Sequence, residues 1–165
     1  MGKIVIFALA LILVLSSCKF VWEYCDDDEI NYSNRLMRRY MGEDKEVILQ
    51  KIEMEDEVIK RGEYINVKIT GLVSKGSLIS PILDVKVMDG NQVIIPIKRR
   101  ICDILEDENN SCPLKEGSEN KFVFRYHVPN GIPKAYVNKL LKVVVNLSDM
   151  TTHLICVKFN VKISE

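Results

Sequence analysis

The chain has 165 residues, and its 23 Lys and Arg balance 23 Asp and Glu, so its formal charge is zero. A balanced charge provides no net field toward nucleic acid, and no nucleic-acid partner is expected. Hydrophobic residues make up 47% of the chain, enough for one domain with its own core.

The chain opens MGKIVIFALALILVLSSC, residues 1–18. Lys3 supplies a positive start, Ile4 to Leu15 is an unbroken apolar run, and Ser16, Ser17 and Cys18 are small. This is the layout of a secretory signal peptide, and the run is too short to span a bilayer comfortably. Cleavage after Cys18 leaves residues 19–165 as the mature domain, secreted or in the lumen of the secretory and endolysosomal route. LSSC also loosely resembles a bacterial lipoprotein signal, in which Cys18 would be lipidated and retained.

The segment DDDEINYSNRLMRRYMGEDK, residues 26–45, reads as a loop with one short helix. Strand patterns follow. EVILQKIEM is a weak one. EYINVKITGLV alternates, with Ile65, Val67 and Ile69 on one face. ILDVKVM places Leu83, Val85 and Val87 together, and Asp89-Gly90 is a hairpin signal before VIIPI runs back. Pro96 cannot donate a ladder hydrogen bond, which assigns VIIPI to a sheet edge. KFVFRYHV puts Phe122, Phe124 and Tyr126 on one side, LLKVVVNL puts Val143 and Val145, and ICVKFNVKI puts Val157 and Phe159. About seven short strands at this spacing make an all-β antiparallel sandwich.

Four cysteines remain after the leader, Cys25, Cys102, Cys112 and Cys156. An even count in a secreted chain suggests two disulfides, with three pairings possible. Cys102 and Cys112 flank a short polar loop between two strands. A bridge there would restrict the unfolded chain by ~2–3 kcal/mol, and it would leave Cys25 and Cys156 to each other. Three glycosylation sequons begin at Asn31, Asn109 and Asn146. Catalytic motifs are lacking: there is no G-x-S-x-G, P-loop, H-E-x-x-H or C-x-x-C. His127 and His153 read as structural, and Glu53, Glu55, Asp56 and Glu57 lack the spacing of a calcium loop. No catalysis, metal or cofactor is expected.

Several separated elements carry a resemblance: WEYC, RGEYINVKITG, CPLKEG with a cysteine ten residues before its own, GIPKAY, and the closing VVVNLSDMTTHLICVKFNVKI. In this order they resemble the ML lipid-recognition domain over about Trp22 to Ile163. The chain lacks the family's Pro-x-Pro before the RG turn, and Ile132-Pro133-Lys134-Ala135-Tyr136 replaces its Pro-Pro-Gly-x-Tyr turn. The resemblance implies an immunoglobulin-like sandwich with an apolar cavity between its sheets, and the pairings Cys25–Cys156 and Cys102–Cys112. It makes the inward residues Ile65, Val67, Ile69, Leu83, Val85, Val87, Phe122, Phe124, Tyr126, Val143, Val145, Val157 and Phe159 the candidate lining.

The expected function is a carrier that holds one phospholipid or sterol and contacts membranes transiently. An acyl chain entering such a slot gains ~0.8 kcal/mol per buried methylene. The alternatives are a lipid-presenting subunit with a receptor partner, and an immunoglobulin-like interaction domain without ligand. The basic run Lys98-Arg99-Arg100, just before Cys102, is expected beside the opening, where it could attract anionic headgroups.

Overall fold

The computed structural model describes residues 21–25, 46–55, 58–105, 111–150 and 152–165. The expected signal peptide with Cys18, the expected loop and helix of residues 26–45, and the sequons at Asn31 and Asn109 lie outside the described residues.

Among the described residues nine strands form in chain order: β1 (Trp22–Tyr24), β2 (Glu46–Met54), β3 (Val58–Lys60), β4 (Tyr64–Lys75), β5 (Pro81–Asp89), β6 (Gln92–Arg100), β7 (Glu119–His127), β8 (Leu140–Asp149) and β9 (Thr152–Ser164). One sheet has the order β1-β9-β8-β5-β6, with β3 also pairing β9, and the other is β2-β4-β7. The two face each other as an immunoglobulin-like sandwich. All seven strand patterns of the sequence are present. The two further strands, β1 and β3, are three residues long, too short for alternation to show. β3 is also the one strand that pairs in parallel, Val58–Lys60 against Lys162–Ser164 of β9.

Alternation along each strand sends one set of side chains inward. In β4 these are Ile65, Val67, Ile69, Gly71 and Val73, and across from three of them on β7 stand Tyr126, Phe124 and Phe122. In the larger sheet Val143 of β8 stands opposite Phe159 of β9, and Val145 opposite Val157. Directly opposed residues share a face, so each pair buries apolar surface together. The two-residue turn Gly90–Asn91 joins β5 to β6, with Gly90 at φ +57°. β6 is an edge strand, as Pro96 requires.

The chain ties the two sheets at one end. After β6, a 3-10 turn at Ile101–Asp103 leads to Leu105, which bridges Phe122 of β7, and the Val123 N–H donates to the Ile104 carbonyl. Cys102 and Cys112 bridge across the same connection with Cα atoms 5.7 Å apart. Cys25 and Cys156 join the segment after β1 to β9, Cα atoms 5.3 Å apart. At this end Asp149, fully buried, accepts the Ser80 N–H at 2.7 Å and the Ile79 N–H at 3.2 Å, fixing the β4–β5 turn to the end of β8.

The two bridges close loops of very different length, with separations of 10 and 131 residues. Replacing Cys102 and Cys112 by Ala is expected to lower the unfolding free energy by ~2–3 kcal/mol, and replacing Cys25 and Cys156 by ~4–5 kcal/mol. Denaturant unfolding of both variants measures this, and equal losses would contradict the assignment of the longer loop to Cys25–Cys156.

Candidate functional site

The inward side chains do not fill the sandwich completely. Between the sheets lies a narrow space, partly open to solvent, with a wholly apolar lining. β4 contributes Ile65, Val67 and Ile69, and β5 contributes Leu83, Val85 and Val87. Phe124 and Tyr126 come from β7, Val143 and Val145 from β8, and Phe159 from β9. The remaining two candidates, Phe122 and Val157, line a second narrow apolar space further along the sandwich, beside half-buried Val47, Leu49 and Ile155. Ile69, Leu83 and Val145 face both spaces.

Sequence reasoning missed seven residues around the larger space: Met54, Ile59, Ile95, Ile97, Val128, Val161 and Ile163. Most continue an alternation already visible, since Val161 and Ile163 follow Phe159, and Ile95 and Ile97 flank Pro96. Ile59 had no such signal, because it sits on β3.

The open side is set by exposure. Met54, Ile65 and Tyr126 are half-buried, whereas the other residues of the lining are buried. These three stand at the end of β2, the start of β4 and the end of β7. Phe124 stacks on Tyr126, ring centres 6.2 Å apart and planes 12° apart, so an aromatic shelf leads inward from the opening.

The basic run does not lie there. Lys98, Arg99 and Arg100 end β6 at the opposite, tied end, next to the cysteine bridge. The guanidinium of Arg100 donates to Asp103 at 3.0 and 3.1 Å, and these hydrogen bonds hold the Asp103 carboxyl below its usual range. Strand order alone misled here: β6 runs away from the opening, so its proximity to the loop placed the cations at the wrong end. They instead protect an exposed sheet edge from pairing.

No histidine lines the space. His127 is exposed beside the Tyr64 ring, centroids 5.0 Å apart, and His153 is buried near the β8–β9 turn. Among the described residues no group of three or more His, Cys, Asp or Glu could hold a metal ion. Asn146, the one described sequon asparagine, is half-buried in β8 between Asp84 of β5 and Cys156 of β9.

An apolar slot between two sheets can take an apolar molecule out of water. The model of the ML domain family matches residues 40–163. The chain belongs to the ML domain family. ML domains bind lipids and are generally not enzymes. A solved structure of a Niemann-Pick type C2 protein from Japanese carpenter ant superposes with a TM-score of 0.61 at 19% identity, covering 88% of this chain and 100% of that one. At that identity the likeness establishes the fold alone. Weaker likenesses, to the Bacillus subtilis sporulation control protein Spo0M (TM-score 0.47, 14% identity, 73% of this chain and 49% of that one) and to a CARDB domain from Pyrococcus furiosus (0.43, 10%, 72% and 88%), carry no argument. No curated protein matches the sequence.

In this ML domain Phe124 is 3% exposed and stands in the wall of the larger space. Phe124→Trp is expected to fill part of that space and weaken uptake of a fluorescent acyl or sterol probe. Its melting temperature should fall by less than the ~1–3 kcal/mol of an overpacked core would bring. A loss of that full size with unchanged probe uptake would mean that the space is ordinary packing.

Proposed function

We propose that the protein is a secreted or lumenal carrier that holds a single lipid between its sheets and exchanges it with membranes. The observation that carries this reading is the wholly apolar slot, lined from both sheets and half-exposed only at Met54, Ile65 and Tyr126. Such a slot rewards burial of hydrocarbon and offers no polar partner inside, so the headgroup stays at the opening. The space is thin as it stands, and a lipid tail enters as the untied end of the sheets parts. The two disulfides support an oxidising compartment, and the apolar run before Cys18 supports a secretory route. A phospholipid and a sterol both meet the chemistry of the slot.

Membrane contact has its own support. Around the opening, Val58, Tyr64, Val93 and Leu140 are 48%, 56%, 41% and 67% exposed. Leu140 and Val58 both stand beside Lys162 in the sheet, and Lys60 is close along β3. Exposed apolar residues among cations suit the interface of an anionic bilayer, where each cation contributes ~1 kcal/mol. The second reading, a lipid-presenting subunit for a receptor, uses the same slot and would show as a stable protein complex.

Native mass spectrometry of the purified protein, with extraction and identification of bound lipid, tests the carrier reading. One lipid per chain is the expected result. A protein that yields no lipid and takes up neither an acyl nor a sterol probe would be a closed immunoglobulin-like domain. Leu140→Asp is expected to slow transfer from anionic vesicles several-fold and to leave the affinity for lipid in solution unchanged. Equal transfer rates for the variant and the wild type would remove this rim from the mechanism.

A further inference from the structure

Asparagine is thermally labile, and a following glycine makes it more so, because no side chain hinders the glycine nitrogen from reaching the carboxamide. The chain has one Asn-Gly pair, Asn130-Gly131. It lies in the exposed connection between β7 and β8. There Pro129 to Ile132 form a turn, closed by the Ile132 N–H donating to the Pro129 carbonyl at 3.4 Å. That hydrogen bond does not engage the Gly131 N–H. Gly131 is also open to approach, since a Cβ built there would meet nothing within 4 Å.

The pair sits where the molecule tolerates little change. Val128, just before the turn, is 2% exposed and lines the slot, and Ile132 at its end is 6% exposed. The Asn130 side chain lies against Gly62, where a Cβ would come within 2.4 Å of its Oδ1. The Gly62 N–H donates to the Val128 carbonyl at 2.9 Å, and the Arg61 guanidinium donates to the Ile132 carbonyl at 3.3 Å. The Asn130 turn and the β3–β4 turn therefore brace each other. Ile65, at the lip of the slot, follows Gly62 by three residues.

We propose that Asn130 is a site of spontaneous deamidation, and that the isoaspartate formed there loosens the lip of the slot. The Gly131 backbone nitrogen, giving up its proton to base, bonds to the side-chain carbonyl carbon of Asn130. The bond from that carbon to Nδ2 breaks, and ammonia leaves. Water then opens the cyclic succinimide at either carbonyl, giving aspartate or isoaspartate. Both products place a carboxylate against Gly62. Isoaspartate also adds a carbon to the main chain between Val128 and Ile132, which the close-packed core holds in place, so the turn shifts off Gly62. Neither the reaction nor its position depends on what the slot holds.

The test is incubation of the folded protein at neutral and mildly alkaline pH, beside Gly131→Ala and Asn130→Asp, followed by peptide mass mapping, isoaspartate-specific methylation, thermal melts and amide hydrogen exchange. The wild type should gain the mass of an –NH2 to –OH exchange at Asn130, faster at the higher pH because the attacking nitrogen must lose its proton. Gly131→Ala should convert several-fold more slowly while melting like the wild type, since its methyl meets nothing and Gly131 is not among the positive-φ glycines. The isoaspartate form, separated by ion exchange, should melt lower and exchange the Gly62 to Val67 amides several-fold faster. Asn130→Asp, with the carboxylate but not the longer chain, should lie between the two. An Asn130 that stays intact in the folded protein, under conditions that convert the same peptide after proteolysis, would overturn the site. Equal conversion of the wild type and Gly131→Ala would overturn the attack by Gly131. An isoaspartate form with unchanged melting and exchange would overturn the coupling to the lip.

Discussion

The tie between the sheets at the cysteine end governs the rest of the structure. There the chain passes from β6 to β7, and the connection is held by the Cys102–Cys112 bridge, the Leu105–Phe122 pairing and the hydrogen bond from Val123 to Ile104. Asp149 adds a buried clasp between two turns at the same end. With one end fixed, two sheets that meet through apolar side chains alone can stand slightly apart at the other. Away from the β3 flank, where the Arg61 N–H donates to the Ser164 carbonyl, the faces meet through apolar side chains, so widening the gap there mainly breaks dispersion contacts and exposes apolar surface.

The far end is guided rather than locked. The chain leaves the smaller sheet after β2, runs along β9 as β3 and returns as β4, so one flank of the opening is laced to both sheets. The returning turn is close-fitting: Gly62 has φ +80°, its N–H donates to the Val128 carbonyl, and a Cβ there would lie 2.4 Å from the Asn130 side chain. Arg61 adds a hydrogen bond to the Ile132 carbonyl. Only a glycine satisfies both the backbone and the neighbour. The half-buried Ile65 follows three residues later, so this turn positions the lip of the slot.

Much of this was legible in the residues. Alternation over nine or more residues in β4, β5, β7, β8 and β9 fixed which side chains face inward, because a period of two has only two phases. The cysteine positions and CPLKEG carried the family resemblance. Other features left no local trace. β1 and β3 are stabilised by pairing with β9, a property of the assembled sheet, and three residues cannot display a period. The end of the sandwich at which it opens depends on strand direction in three dimensions, which is why Lys98, Arg99 and Arg100 were placed at the opening and lie away from it. The division of the lining into two spaces likewise left no local trace, although Phe122 and Val157 of the second were among the inward residues.

β6 bears on how the molecule stays single. An uncovered rim of a sheet is a template on which another chain can build a strand. β6 forms one such rim, and it is poorly suited as a template. Pro96 removes an N–H from the middle of the strand, and three consecutive cations occupy its last positions. The residues that end β6 therefore disfavour pairing of this edge with another chain, whatever the gap between the sheets holds.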